Sequence, residues 1–562
     1  IIQKTFIKNH NESKLFAGAF LVPFFLCILL CGIPLFLMEV SLGQYLNTGG
    51  IGIWNLVPVM KGIGYASMTM IGLCNIYYIV LIAWTLFYFV ASFNFPLPWQ
   101  SCGNPWNSEK CVVAQTPNAS LLMQYDNVSS SVKEYWEYAA FKRLLNRIIH
   151  LYYFLSRNRV LAITQGIDQM GHIRVNLLIC LLVAWILVYV VIWRGIHQSG
   201  KIIWFTATFP YVILLILFFR GVTLEGASKG LLFYISPKWS KLLEAKVWVS
   251  AATQVLFSYG IGIGANVALG SYNRFHHNFY RDSFLACCIS SGTSLFSGIV
   301  IFSVLGHMAH ITGREVSEVA KSGPGLAFIA YPEVVVKLPL APFWAVLFFL
   351  MLIILGTDSQ FCTVEAFVTG IVDEYADYLR PRRKIFTLLV VIIKFLLGIP
   401  LIMQGGMYVF QLMDFFSASG FSLLIVVFCE IMSLSWIFGA KKICENMETM
   451  LGFKPVGWFY YCWLYIAPTM ITGIFIFSLV RYEKLTYADN YTYPWYGEFV
   501  GWCMALASIL WIPGYALYYL LKQKGPLSKV YCRWQKGITS VVPPRKEKDN
   551  VYIDDDSSSA DI

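Results

Sequence analysis

Leu355-Gly-Thr-Asp-Ser-Gln-Phe361, LGTDSQF, lies inside a hydrophobic run from Phe343 to Val372 that is long enough to cross a bilayer as one helix. A carboxylate, Asp358, and a hydroxyl, Ser359, follow Gly356 at mid-span, and an ionisable side chain at that depth costs about 2.5 to 3.5 kcal/mol on insertion scales. Two arrangements compensate. One is a bound cation, because Asp358, Ser359 and the carbonyls of a glycine-loosened helix are hard oxygen ligands. The other is a hydrogen bond to a neighbouring helix. These residues alone leave both open.

Working outward, about eleven apolar runs of spanning length fall at 17–38, 63–93, 175–193, 202–219, 249–270, 283–305, 343–372, 385–403, 407–438, 458–480 and 497–521. With 57% hydrophobic and 13% charged residues and a mean hydropathy of +0.62, the chain reads as an all-α, multi-pass integral membrane protein. The net charge of +11 does not indicate nucleic acid. Lys and Arg sit in short loops and in the tail after Leu521, where they set orientation. By that rule Arg194–Lys201, Arg274–Arg281, Arg380–Lys384, Lys441–Lys442 and the tail are cytoplasmic. The loop at 94–174 and the stretches Glu225–Trp248, His310–Pro342 and Arg481–Gly497 are then outside.

The organisation expected is an atypical segment at 1–15, a membrane domain at 16–522 with a large extracellular loop at 94–174, and a disordered cytoplasmic tail at 523–562. Ile1 to Phe16 shows neither an initiator Met nor a signal-peptide pattern. The first run must also travel inward from outside, which suits a chain whose preceding span is missing. In the outer loop, Cys102 and Cys111 lie near the sequons at Asn118 and Asn127, so a disulfide and glycosylation are expected there. Asn490 heads a third sequon. Phe141–Asn158, basic and aromatic, reads as an amphipathic surface helix or an insertion without function.

Several polar residues lie in the apolar runs. TQVLFSYGIGIGANVALG (Thr253 to Gly270) places Gly260, Gly262 and Gly264 at mid-membrane beside Gln254 and Ser258. Such glycines ease helix unwinding and free backbone groups to meet a solute, or they permit close helix packing. Tyr77 and Tyr78 lie away from the interfacial belts, and either a substrate carboxylate or another helix would satisfy their hydroxyls. Glu39, Glu365, Asp414, Glu430 and Lys394 must face protein or water. Glu39 reads as structural or cytoplasmic-side, and Asp414 as lining the outer entrance. His307 and His310 read as loop histidines. No P-loop, nucleophile elbow or zinc-protease motif is present, and no enzyme is expected.

From Gly18 to about Leu521 the chain resembles the sodium- and chloride-dependent neurotransmitter symporters, nearest to the GABA transporter branch. The resemblance is carried by GIPLFLMEVSLGQY (Gly32 to Tyr45), NIYYIV (Asn75 to Val80), LPWQSCGNPWN (Leu97 to Asn107) and FSYGIGIG (Phe257 to Gly264). It continues through ALGSYN (Ala268 to Asn273), SGPGLAFIAYPE (Ser322 to Glu333), LGTDSQFCTVEAF (Leu355 to Phe367) and FSASG (Phe416 to Gly420).

The resemblance implies a LeuT-type inverted-repeat fold, of which about eleven of the family's twelve helices are present here. It implies a sodium site at Leu355, Asp358 and Ser359 and another including Ser258, with Ser290 where the family has Asn. A chloride site would use Gln254, Ser258 and Ser294, with Phe24 in place of the family's Tyr. Tyr78, Phe257, Gly260 and Thr363 would line the substrate pocket, and Asp414 would be the acidic half of an outer gate. The family's first helix would precede Gly18. Lys394 and the Phe141 segment depart from the pattern.

The function implied is plasma-membrane symport of GABA or a similar small zwitterion, coupled to sodium and chloride ions, by alternating access. Alternatives are a taurine, betaine or creatine-type osmolyte symporter, or a transport-inactive form acting only by association with homologous transporter subunits. Membrane lipid is the expected surrounding partner and nucleic acid is not.

Overall fold

The structure is a computed structural model. It describes residues 18–522 except 105–106, 108–110, 114–128, 138–160, 162–163, 165, 194–199, 237–238, 314, 317–327, 330, 337–339, 419, 481–483 and 488–490. The segment Ile1–Leu15, the tail, Phe141–Asn158 and the sequon residues Asn118, Asn127 and Asn490 therefore lie outside the described residues.

Every apolar run of the sequence forms helix among its described residues, one of them in two pieces. Eight form continuous or interrupted spans: α1 (Leu21–Leu46), α2 (Pro58–Ala91), α3 (Val175–Trp193), α8 (Phe279–Thr312), α9 (Ala341–Glu374), α10 (Arg383–Ile402), α11 (Gly406–Leu451) and α12 (Gly457–Val480). Two runs are bent. α4 (Gly200–Val222) turns through 111° into α5 (Ala227–Ile235), and α13 (Trp495–Ile509) turns through 42° into α14 (Trp511–Lys522). The remaining run is broken into α6 (Ala245–Ser258) and α7 (Ala265–Gly270).

Helices that are apolar all round cannot reveal their buried face by hydropathy, and packing decides it. In α3, Leu177, Leu181, Ala184, Trp185, Val188 and Ile192 are buried. Ile179, Val183, Ile186 and Val190 on the opposite face are exposed, as a lipid-facing surface requires. The two larger of the three parts of the core are joined by α2, the most buried of the eight spans. Ile63, Ala66, Met70 and Ile71 of its inner end pack with α1, α6 and α12. Ile79 to Tyr88 pack with α3, α8 and α9.

Contacts between loops gather the connections into groups. In one, Gln44 Nε2 donates to the carbonyls of Phe275 (3.0 Å) and His277 (2.9 Å), and the Gly49 amide donates to Asp373 Oδ2 at 3.0 Å. In another, Cys102 and Cys111 form a disulfide with a Cα–Cα separation of 5.7 Å. There β1 (Cys111–Val112) pairs with β2 (Ser129–Ser130). The Trp136 ring stacks on Phe328 at 4.7 Å, pinning the outer loop to the segment between α8 and α9.

The histidine expectation is corrected. His307 and His310 belong to the last turns of α8, because the helix continues to Thr312 before Gly313, at φ 64°, ends it. His307 Nδ1 lies 2.7 Å from the Glu225 carbonyl. Among the described residues no group of three His, Cys, Asp or Glu side chains is placed to hold a metal ion.

Lys394 is buried in α10 with its Nζ 3.9 Å from the Phe367 ring centroid, and it has no hydrogen-bond partner among the described residues. A ring face recovers only about 2 kcal/mol of a buried ammonium's lost hydration. Lys394→Met keeps the volume and removes the polar head. The variant is expected to melt about 2 °C or more above the wild type in detergent, as read by intrinsic fluorescence; a lower melting point would show that the amine is stabilising.

Candidate functional site

The break between α6 and α7 is written in three glycines. Gly260, Gly262 and Gly264 have φ of 67°, 78° and 73°, a region that side chains bearing a Cβ rarely adopt. At Gly262 a Cβ would also lie 2.4 Å from Val427 Cγ2. Unwinding at mid-membrane strands amides and carbonyls that water cannot reach, at several kcal/mol each. Their partners come from three helices. Glu39 Oε1 of α1 accepts the Gly262 amide at 2.6 Å, and its Oε2 accepts Asn266 Nδ2 at 2.8 Å. The same Asn266 amide donates to the Tyr259 carbonyl at 2.8 Å, and Ser67 Oγ of α2 donates to the Gly262 carbonyl at 2.8 Å. The Glu430 carboxyl of α11 hydrogen-bonds Glu39 in turn. Of the two readings of Glu39, the structural one holds.

In α9, Leu355, Asp358 and Ser359 share one face at i, i+3 and i+4. The Thr206 hydroxyl of α4 donates to the Asp358 carboxylate. The Tyr78 hydroxyl of α2 pairs with Ser359, whose own Oγ donates to the Leu355 carbonyl at 3.1 Å. Thr363 donates to Asn75 Oδ1 at 2.6 Å, and Gln360 Nε2 donates to the Asn75 carbonyl at 3.0 Å. Phe257, half-buried, packs against both core clusters. Tyr77, fully buried, reaches Asp414 of α11. Both tyrosines thus meet other helices, Tyr78 within the constellation singled out in the sequence and Tyr77 with the expected entrance acid.

A second group lies where α1, α6 and α8 approach. Gln254 is buried and Ser258 half-buried, at i and i+4 on α6; Ser290 and Ser294 have the same spacing on α8. Ser294 Oγ donates to the Ser290 carbonyl at 3.1 Å, whereas Ser290 Oγ is buried with no partner among the described residues. Phe24 is buried against Phe20 and Phe25.

Both donor sets suit the ions the sequence implies. A hard carboxylate with a hydroxyl and a carbonyl on one helical face suits an alkali cation and covers part of its sphere. An orphaned serine hydroxyl among neutral donors suits an anion that replaces water with O–H and N–H groups.

The C-terminal part of α9 is tied down on three sides. Glu365 is held by Arg383 and by the Tyr272 hydroxyl at 2.9 Å. Glu374 meets Lys61 at 2.6 Å and the Tyr65 hydroxyl at 3.2 Å, and Asp373 meets Arg380 at 3.7 Å. Sequence reasoning missed Thr206, Asn75 and Asn266. The last two flank recognisable stretches, Asn75 two residues before the tyrosine pair and Asn266 two residues beyond the glycines, whereas Thr206 carries no local signal.

A bundle of apolar spans, one of them broken at three glycines and another carrying a carboxylate and hydroxyls within it, is the framework of a secondary transporter. The chain belongs to the sodium:neurotransmitter symporter family, whose profile matches residues 13–523, and its fold is accordingly the LeuT-type inverted-repeat architecture of those transporters. It is 46% identical over 513 residues to sodium- and chloride-dependent GABA transporter 2 of Rattus norvegicus, covering 91% of this chain and 82% of that protein. The Homo sapiens protein of the same name is 46% identical over 512 residues, with the same coverage. Sodium- and chloride-dependent creatine transporter 1 of Bos taurus is 45% identical over 528 residues, covering 92% of this chain and 80% of that protein.

Glu39→Ala strands the Gly262 amide and one of the two Asn266 Nδ2 hydrogens in a buried site, at about 1–3 kcal/mol for each. The expected result is a loss of monodisperse protein on size exclusion and a clearly lowered melting point. Glu39→Gln keeps one acceptor oxygen and should fall between the two. A Glu39→Ala variant as stable as the wild type would remove the carboxylate from this role.

Proposed function

We propose that the chain is a plasma-membrane symporter that takes up GABA or a similar small zwitterion by alternating access, driven by sodium with chloride. The observation that carries this reading is the pairing of Tyr78 with Ser359, one residue from Asp358. It brings a phenol suited to a solute carboxylate to the helical turn that carries the acid suited to a sodium ion.

In this reading Leu355, Asp358 and Ser359 hold one sodium ion. Ser258 contributes to a second, with Ser290 in the adjacent ligand position. Gln254, Ser258 and Ser294 receive chloride beside Phe24. The solute lies between Tyr78, Phe257, Gly260 and Thr363, with Asp414 at the outer gate. Sodium supplies the charge that makes Asp358 tolerable at mid-depth, so an empty site is electrostatically costly and a filled one is not. Tyr78 orients the solute while the unwound backbone at Gly260 and the ring of Phe257 exclude water. The ties of Glu365, Asp373 and Glu374 close the cytoplasmic side and must part for release.

A sodium ion moving down a tenfold gradient contributes about 1.4 kcal/mol, with about 2.3 kcal/mol more per 100 mV. Two such ions supply about 7 kcal/mol, which sustains a solute ratio on the order of 10⁵. Binding and conformational exchange accomplish this without covalent chemistry.

The creatine transporter relatives at 45% identity support a second reading, in which the solute is creatine or another osmolyte such as taurine or betaine. Uptake of radiolabelled GABA into cells or proteoliposomes, with competition by each of these, separates the two. Choline replacement of sodium and Asp358→Ala are each expected to reduce uptake at least about 100-fold, the equivalent of about 2.7 kcal/mol. Undiminished accumulation under either condition would refute sodium coupling through α9.

A further inference from the structure

Position 24 carries a phenyl ring where an anion site of this kind has a phenol, and the structure holds another phenol at the same seam. Tyr259 follows Ser258 directly and is buried. Its ring lies against α1: a Cβ at Gly32 would come within 2.8 Å of Tyr259 Cε2, and Phe36 meets the ring edge-on at 6.1 Å. Its hydroxyl crosses to α8, 2.5 Å from Ser291 Oγ and 3.2 Å from the Cys287 carbonyl. Ser291 Oγ donates to that same carbonyl at 2.8 Å.

Tyr259 therefore adjoins candidate anion ligands on both helices. On α6 its neighbour is Ser258; on α8 the residue it touches is next to Ser290, whose buried hydroxyl is orphaned among the described residues. We propose that Tyr259 donates the phenolic hydrogen bond to the bound chloride that Phe24 has no oxygen to make. The proposal rests on the chloride reading given above.

The chemistry favours it on three counts. A buried anion exchanges its hydration shell for O–H and N–H donors, and each missing donor weakens it. A phenol is a stronger donor than an aliphatic hydroxyl, so serines do not replace it equally. The packed ring fixes the Tyr259 oxygen while leaving its hydrogen free to rotate. The Cys287 carbonyl it leaves keeps Ser291 as a donor, so the switch leaves no acceptor bare.

The test is chloride-dependent thermal stabilisation of the purified full chain, read by intrinsic fluorescence in sodium chloride–sodium gluconate mixtures at constant sodium. Tyr259→Phe is expected to raise the half-saturating chloride concentration about tenfold, and adding Phe24→Tyr to that variant is expected to restore it. An unchanged half-saturation in Tyr259→Phe overturns the proposal. Should that variant not fold, Phe24→Tyr alone decides. Less than twofold tightening means the phenol is already supplied, whereas tenfold tightening means that Tyr259 does not supply it. If chloride fails to stabilise even the wild type, the chloride reading falls, a result distinct from a chloride response that ignores Tyr259.

Discussion

The structure depends on one buried carboxylate. Glu39 takes the Gly262 amide on one oxygen and Asn266 on the other, and without it the turn between α6 and α7 would expose unpaired backbone in a medium with no water to satisfy it. That turn gives the bundle a polar interior at mid-depth. The acid lies more than two hundred residues from the glycines it serves, so the break is held open by tertiary contacts and is not a local weakness of one helix. Glu430 and Ser67 extend the same support to α11 and α2, which couples three helices to the shape of one peptide segment.

Much of this was legible in the sequence because lipid permits so few backbone solutions. Apolar runs of spanning length are helical wherever lipid surrounds them, and every run read from the chain forms helix among its described residues, with the run at 249–270 broken into two. The alternating glycines of GIGIG announced an unwound segment, and the close cysteine pair in a polar loop announced a bridge. What the sequence withheld were relations between helices. Nothing local in WFTATFP marks Thr206 as the partner of Asp358, and nothing in NIYYIV marks Asn75 as the acceptor for Thr363. A side chain in an apolar helix has many faces to choose from, and only packing selects one. The histidines at 307 and 310 failed for a related reason. Their polarity suggested a loop, but hydrogen-bonded helix geometry continues past the hydrophobic stretch until Gly313 stops it.

Three ionisable groups within the apolar spans receive three different treatments, and the differences bear on function. Glu39 is saturated by amide donors and by a second carboxyl. Lys394 rests over an aromatic ring with no hydrogen-bond partner among the described residues. Asp358 is only half-buried and, among the described residues, is met by the Thr206 hydroxyl. A saturated acid has no oxygen left for an exchanging ligand, and a cation on a ring repels the sodium it would need to attract. Among the three, only Asp358 combines a negative charge, incomplete satisfaction and access, which is why the ion reading falls on it.

The same argument separates what moves from what holds. Bonds that satisfy stranded backbone cannot be given up during a transport cycle without the cost of a vacant amide in lipid, so the Glu39 cluster belongs to the fixed frame. The Tyr78–Ser359 hydroxyl pair and the Thr206–Asp358 bond satisfy no stranded backbone; their oxygens can meet a cation instead, and the hydroxyl hydrogens can be donated to a solute carboxylate instead. The ties of α9 to Arg383, Lys61 and Arg380 join side chains near the water boundary, where solvent can replace either partner. A cycle that alternates access would therefore exchange the hydroxyl pairs at mid-depth and the ion pairs at the inner end, around a broken helix whose own backbone stays paired throughout.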